Sequence, residues 1–183
     1  MREIQEILAA HGARDVRLSL APEALDVDET GHSYRANAYL KASQYALKYN
    51  TPALGDDSGL AVDALGGAPG LYSARFGGPG LTSEQRVDLL LEKLRDVPMA
   101  RRGAHFVCVL CLVYPDGRRV EATGLVRGAI ATAPRGEAGF GYDPVFVIPR
   151  LGKTMAELTT VQKHLVSHRG HAVANLLERL RTA

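Results

Sequence analysis

Two adjacent carboxylates, Asp56 and Asp57, follow a short apolar run and precede Ser58-Gly59 in the stretch LGDDSGLAVDALGGAPGLYSAR, Leu54 to Arg75. Carboxylates where a strand passes into a loop suit a Mg²⁺-dependent enzyme acting on phosphates. Mg²⁺ is held by one or two carboxylates while substrate phosphates and water complete its shell. DDSG alone reads first as a solvated turn with no chemistry. Three further segments weigh against that bland reading.

The first is GEAGFGYDP, Gly136 to Pro144. A glycine-rich loop lets backbone N–H groups approach a ligand. Phe140 and Tyr142 offer flat faces to a base, and Asp143 can accept hydrogen bonds from ring nitrogens; a tight loop with core aromatics is the alternative. The second is KHLVSHRG, Lys163 to Gly170. Lys163 is a point charge suited to a nucleotide phosphate, and His168 with Arg169 forms a cluster of donors. Donors facing a base favour a purine with a keto oxygen at the six position. Adenine would present a second donor there, and a buried unpaired donor costs about 1–3 kcal/mol. Ordinary surface salt bridges at a helix start are the alternative. The third is ETGHSYRANAYLKA, Glu29 to Ala42, in which Asn37 and Lys41 lie four apart on one helix face. A solvated face is the alternative there.

The elements that must carry these residues follow from periodicity. Arg2 to His11 reads as a helix with Ile4, Ile7 and Leu8 on one face and Gly12 as its stop. Val16, Leu18 and Leu20 alternate as a strand. Ser33 to Tyr49 is a long helix, followed by a short strand ending at Gly55 and a separate apolar segment from Leu60 to Leu65. Thr82 with Gln85 makes a capping box for a helix carrying Val87, Leu90, Leu91 and Leu94. Phe106–Tyr114 and Arg118–Val126 are strands around the Pro115-Asp116-Gly117 turn. Val145 to Ile148 is a strand, and Thr159 onward is mostly helix. The expected fold class is α/β, a mixed twisted sheet flanked by helices.

A chain of 183 residues with 46% apolar and 23% charged residues fits one globular domain over 1–183. A formal net charge of +2 gives no argument for nucleic acid or a membrane surface. No run approaches a membrane span and MREIQEIL is not a signal peptide, so the cytoplasm is the expected location. Cys108 and Cys111 form a C-x-x-C inside the strand-like run HFVCVLCLVY. Residues three apart on a strand face opposite sides, so the two thiols are expected to be buried and unable to share a ligand.

Together these segments resemble the inosine/xanthosine triphosphate pyrophosphatase family, which acts on non-canonical purine nucleoside triphosphates. The likeness runs from about Arg2 to the end and rests on DDSGLAVDALGGAPGLYSAR, the FGYDP loop, GKTMAEL (Gly152 to Leu158) and SHRG. It implies an elongated two-lobed single domain with a central cleft, a homodimer, Mg²⁺ as cofactor, and release of a nucleoside monophosphate and pyrophosphate. By position, Asp57 matches the proton acceptor and metal ligand, with Asp56 a second metal candidate, and Ser58 the substrate contact beside it. Phe140, Gly141, Tyr142 and Asp143 match the base-contacting loop, Lys163 the lysine reaching the nucleotide, and His168-Arg169 the pair reading the keto oxygen. Lys41 is a further substrate contact.

Two departures bear on activity. Family members begin with an apolar strand and a T-G-N-x-x-K loop, whereas this sequence starts at Met1 just before Arg2-Glu3-Ile4. Where the family reads E-N-A, this chain has Ala36-Asn37-Ala38, removing a carboxylate implicated in metal binding and leaving Asp57, Asp56 or Glu3 for that task. A weakened enzyme or a nucleotide-binding homologue is therefore the alternative expectation. A pyrophosphatase of the Maf type, preferring modified pyrimidines, is disfavoured by SHRG.

Overall fold

A computed structural model of the chain describes residues 2–182; the expectation attached to Met1 lies outside them. In chain order the elements are α1 (Arg2–Ala10), α2 (Tyr34–Tyr49), β1 (Ala53–Val62), α3 (Ser83–Lys93), β2 (Gly103–Val113), β3 (Arg119–Ile130), β4 (Phe146–Ile148), β5 (Lys153–Thr154), α4 (Thr160–Val166) and α5 (His168–Thr182). The five strands form one sheet in the order β1-β2-β3-β4-β5. β3 pairs antiparallel with β4 and β4 with β5. The mixed α/β class expected from the sequence is the class observed. The chain divides into two compact units, and β1, β2 and β3 contribute residues to both.

The first unit comprises Met1–Ser58, Cys108–Leu125 and His164–Ala183. Period-two alternation along β2 splits its side chains between two cores. Cys108 and Leu110 pack with Ile4, Ile7 and Leu8 of α1 and with Ala172, Val173 and Leu176 of α5. Val109, Cys111 and Val113 pack with Ala38, Ala42 and Ala46 of α2. The two cysteines are thus fully buried in different cores, as their spacing requires. α2 begins at the Ser33 cap, whose Oγ accepts from Ala36 N. It presents alanines to β1 because the approach is close. A Cβ on Gly55 would stand 2.1 Å from the Ala38 carbonyl oxygen, so only glycine fits.

The second unit comprises Gly59–Val107 and Val126–Lys163. Phe106 and Phe146 rings meet at 4.5 Å in its core, and α3 carries the expected capping box between Thr82 and Gln85. Arg102, nearly fully buried, donates to the carbonyls of Leu94, Val97 and Ala131, satisfying the C-terminal end of α3.

Two sequence expectations are corrected. Val16, Leu18 and Leu20 form no strand. Only Leu18 packs against a core, while Val16 and Leu20 are exposed. The Gln5 side chain holds this segment instead, donating to Val16 O at 2.9 Å and accepting from Leu18 N at 2.7 Å. A side chain has replaced the ladder the alternation implied. The strand expected to end at Gly55 also runs on through Asp56, Asp57 and Ser58 to Val62. Leu60 N is satisfied by Ser73 Oγ and Val62 N by Ala68 O, so no turn is needed at DDSG.

Candidate functional site

Because Asp56 and Asp57 are consecutive on a strand, their side chains leave it on opposite faces. Ala53 packs with the α2 core and Leu54 with the α1/α5 core. Asp57 shares parity with Ala53 and faces α2; Asp56 and Ser58 share parity with Leu54 and face α5. The adjacent carboxylates therefore belong to two clusters.

Asp57 is buried at 9% exposure. Lys41 Nζ donates to its Oδ1 at 3.0 Å and Asn37 Nδ2 to its Oδ2 at 3.3 Å. Asn37 is 1% exposed, so the solvated-face alternative for this helix stripe does not hold. Its own Oδ1 accepts from Gly31 N at 2.8 Å, which orients the amide with its donors toward Asp57. Lys41 Nζ also donates to Glu29 Oε1 at 2.8 Å. Burial pushes the Asp57 carboxyl above its ordinary value, against the opposing pull of Lys41 and Asn37, and the nearby Glu29 charge adds to the rise. Burial works against the Lys41 charge, but the Glu29 and Asp57 hydrogen bonds overcome it and hold the ammonium above its usual value. The site is thus a carboxylate with raised pKa paired with a lysine ammonium.

Glu29 was not among the residues expected at this site. It lies in irregular chain twelve residues before Lys41, where no helix or strand period connects it to anything. It supplies a second carboxylate on the Lys41 ammonium, beside Asp57.

The second cluster is centred on Arg169, in the first turn of α5. Nε donates to Asp56 Oδ2 at 2.8 Å and Nη2 to Ser58 Oγ at 3.1 Å. Nη1 donates to Glu3 Oε2 of α1 at 3.2 Å. The acidic neighbours outweigh the cost of burying the guanidinium and raise its already high pKa. His168, the first residue of α5, is buried. A Cβ on Gly124 would stand 2.0 Å from its carbonyl oxygen, so α5 starts hard against β3.

The base-loop residues lie in the second unit. Asp143 is 2% exposed, and its Oδ2 accepts from Phe140 N at 2.9 Å and from Lys163 Nζ at 2.7 Å. Lys163 Nζ also lies 4.6 Å from the centre of the Phe140 ring, which remains half exposed. Gly139 has φ +82°, and a Cβ there would meet the Asp143 carboxylate at 2.2 Å. Gly141 also takes a positive φ. Tyr142 Oη donates to Ser73 O at 3.0 Å, anchoring the loop to the segment after β1. Asp143 and Lys163 thus hold the Phe140 shelf in place.

No group of three or more His, Cys, Asp or Glu side chains suited to a metal exists among the described residues. Asp57 and Glu29 nevertheless direct two hard carboxylate oxygens to one point, that of the Lys41 ammonium. Two carboxylates completed by phosphate and water satisfy Mg²⁺. Asp56 and Glu3, the other candidates, are engaged by Arg169 on the opposite face. Asp57 and Glu29 are therefore the residues that could hold Mg²⁺.

Residues 1–179 match the model of the Ham1 family. The chain belongs to the Ham1 family. It is 47% identical to a dITP/XTP pyrophosphatase of Exiguobacterium sp., over 96% of this chain and 89% of that protein. It is 49% identical to a dITP/XTP pyrophosphatase of Thermus thermophilus, over 97% of this chain and 85% of that protein. Among solved structures, a Ham1 protein from Coxiella burnetii superposes with a TM-score of 0.88 at 36% identity, covering 100% of this chain and 94% of its own. A nucleoside-triphosphatase, dITP/XTP pyrophosphatase, from Mycobacterium abscessus gives 0.76 at 44% identity, covering 98% and 93%. No described helix of this Ham1 chain is long and apolar enough to cross a membrane.

Proposed function

We propose that this Ham1 chain hydrolyses dITP, XTP and ITP to the nucleoside monophosphate and pyrophosphate, removing them from the nucleotide pool. The observation that carries the reading is the buried Asp57 carboxylate, clamped by Lys41 and Asn37 beside Glu29. The activity named for its relatives supports the same chemistry.

Each Asp57 oxygen keeps acceptor capacity beyond its one hydrogen bond, because a carboxylate offers about four lone-pair sites. Asp57 takes a proton from a water molecule as that water attacks the α-phosphorus. The new P–O bond forms while the oxygen bridging α and β leaves with pyrophosphate. Burial makes Asp57 a stronger base than a free aspartate, and a positioned general base contributes about 10²–10⁴-fold. Lys41 provides a positive charge for the phosphate oxygens as their charge builds. Asp57 and Glu29 would hold Mg²⁺, which would supply charge neutralisation to the triphosphate. The family resemblance assigns Phe140 to the loop that contacts the base. His168, with Arg169 oriented by Asp56, Ser58 and Glu3, presents the donors that select a six-keto oxygen. A cytoplasmic homodimer, implied by the family resemblance, belongs to the same proposal.

Pyrophosphate release from dITP, with dATP and dGTP as controls, in Mg²⁺ and in EDTA, tests the reading. Metal-dependent release selective for dITP is expected. Binding of dITP without release would instead favour the weakened, binding-only homologue that Ala36 raises as an alternative.

A further inference from the structure

The position toward which Asp57 and Glu29 converge is held by a side chain. Lys41 Nζ lies 2.8 Å from Glu29 Oε1 and 3.0 Å from Asp57 Oδ1. Mg²⁺ takes its oxygens at about 2.0–2.1 Å, so a cation shared by those two oxygens would occupy the space the ammonium fills. The two positive charges exclude one another. Charge counting points the same way. Two carboxylates and one ammonium leave a residual negative charge, whereas a divalent cation neutralises both carboxylates and leaves the ammonium without an anionic partner there.

The side chain is built to leave. Its other end is anchored in α2, four residues after Asn37, whose amide holds Asp57 independently through Oδ2. Asp57 therefore stays in place when Lys41 departs. The Lys41 side chain retains 24% of its exposure, so its flexible four-carbon stem can turn outward without unpacking a core. An ammonium displaced from two carboxylates at this site is delivered to whatever anion accompanies the metal.

We infer that Lys41 is a placeholder cation: it occupies the divalent-metal position between Glu29 and Asp57 in the metal-free protein, and metal entry displaces it toward the substrate phosphates. This rests on the metal reading above and adds to it a coupling between metal loading and phosphate binding. Metal without nucleotide must expel a well-paired lysine and binds weakly. Metal with a triphosphate gives the lysine a new partner, so each ligand tightens the other.

The test is an electron paramagnetic resonance titration of the metal-free protein with Mn²⁺ alone, no nucleotide present. It compares wild type with Lys41→Met, and each again with Asp57→Asn added. Lys41→Met is expected to bind Mn²⁺ about tenfold more tightly than wild type, within the usual range of coupling between sites. In a second titration with dITP present, Lys41→Met is expected to lose the tightening that dITP confers on wild type. Equal or weaker Mn²⁺ binding by Lys41→Met overturns the placeholder role. Loss of Mn²⁺ on adding Asp57→Asn keeps the metal site itself standing, whereas Mn²⁺ binding that survives it removes the site and the inference together. A crystal structure of wild type with Mn²⁺ and no nucleotide serves if Lys41→Met does not fold. Nζ beyond hydrogen-bond distance of Asp57 Oδ1 supports displacement, and Nζ still within reach of both carboxylates overturns it.

Discussion

Asp56 and Asp57 are neighbours in sequence and face opposite sides of β1, one committed to Arg169 and the other to Lys41. This division places the two carboxylates in separate clusters. Asp56 forms a two-point contact with the guanidinium that ties α5 to the sheet, while Asp57 is the carboxylate proposed for the proton chemistry.

The Arg169 cluster makes the first prediction. Its members are mostly buried, with side-chain exposures of 16% for Arg169 and 22% for Asp56. Removing one partner strands the other, which costs about 3–5 kcal/mol in buried pairs. Asp56→Ala is expected to lower unfolding free energy by about 3 kcal/mol in urea. Arg169→Met combined with Asp56→Ala is expected to lose less than the sum of the two single changes. Strict additivity would show that the pair is not coupled.

Lys163 and Asp143 are a tighter case. Asp143 is 2% exposed and depends on the ammonium 2.7 Å away. Lys163→Met should destabilise the chain by about 3 kcal/mol or more, for the same reason. Adding Asp143→Asn should recover part of that loss while KM for dITP stays raised, because the Phe140 shelf remains loose. Thermal melts and steady-state kinetics on the three variants check both halves.

Tyr34 contributes a stability prediction with the opposite sign. Its hydroxyl is buried with no hydrogen-bond partner among the described residues. Burial raises its pKa to about 12, and the Asp57 charge adds to the rise. An unsatisfied buried hydroxyl costs about 1–3 kcal/mol. Tyr34→Phe is expected to raise stability by about 1 kcal/mol, read as a higher urea midpoint at unchanged m-value. A lower midpoint would show that the hydroxyl has a partner.

Asp57 itself trades stability for chemistry. Its folded pKa lies above the ordinary 3.8, chiefly because it is buried. Between the unfolded and folded values the native state holds the extra proton. The associated stability is present below about pH 3.8 and is lost as pH rises through the folded value. In metal-free protein, the Tm of Asp57→Asn should therefore approach that of wild type as pH falls below 3.8 and exceed it at pH 7. A lower Tm for the variant at pH 7 would mean that the Lys41 pairing outweighs desolvation.

Much of this architecture was legible from residue patterns. The alanine stripe of α2, the capping box at Thr82, the β2–β3 hairpin and the opposed cysteines all follow from local period and local chemistry. The acidic pair was harder. Asp-Asp-Ser-Gly reads as a turn, and only the pairing of Leu60 and Val62 with the following segment keeps β1 extended. Had the strand been carried through, the parity that separates Cys108 from Cys111 would have separated Asp56 from Asp57. Val16 to Leu20 failed for the converse reason, because alternation without a neighbouring strand gives no ladder. Glu29 was invisible because its approach to Lys41 depends on the path of an irregular segment.

The central claim is that Asp57 is the proton acceptor in pyrophosphate release, and one rate comparison tests it most directly. Pyrophosphate release from saturating dITP in Mg²⁺ should fall at least about a hundredfold in Asp57→Asn, in protein that melts no lower than wild type at pH 7. A variant that retains the wild-type rate would contradict the account.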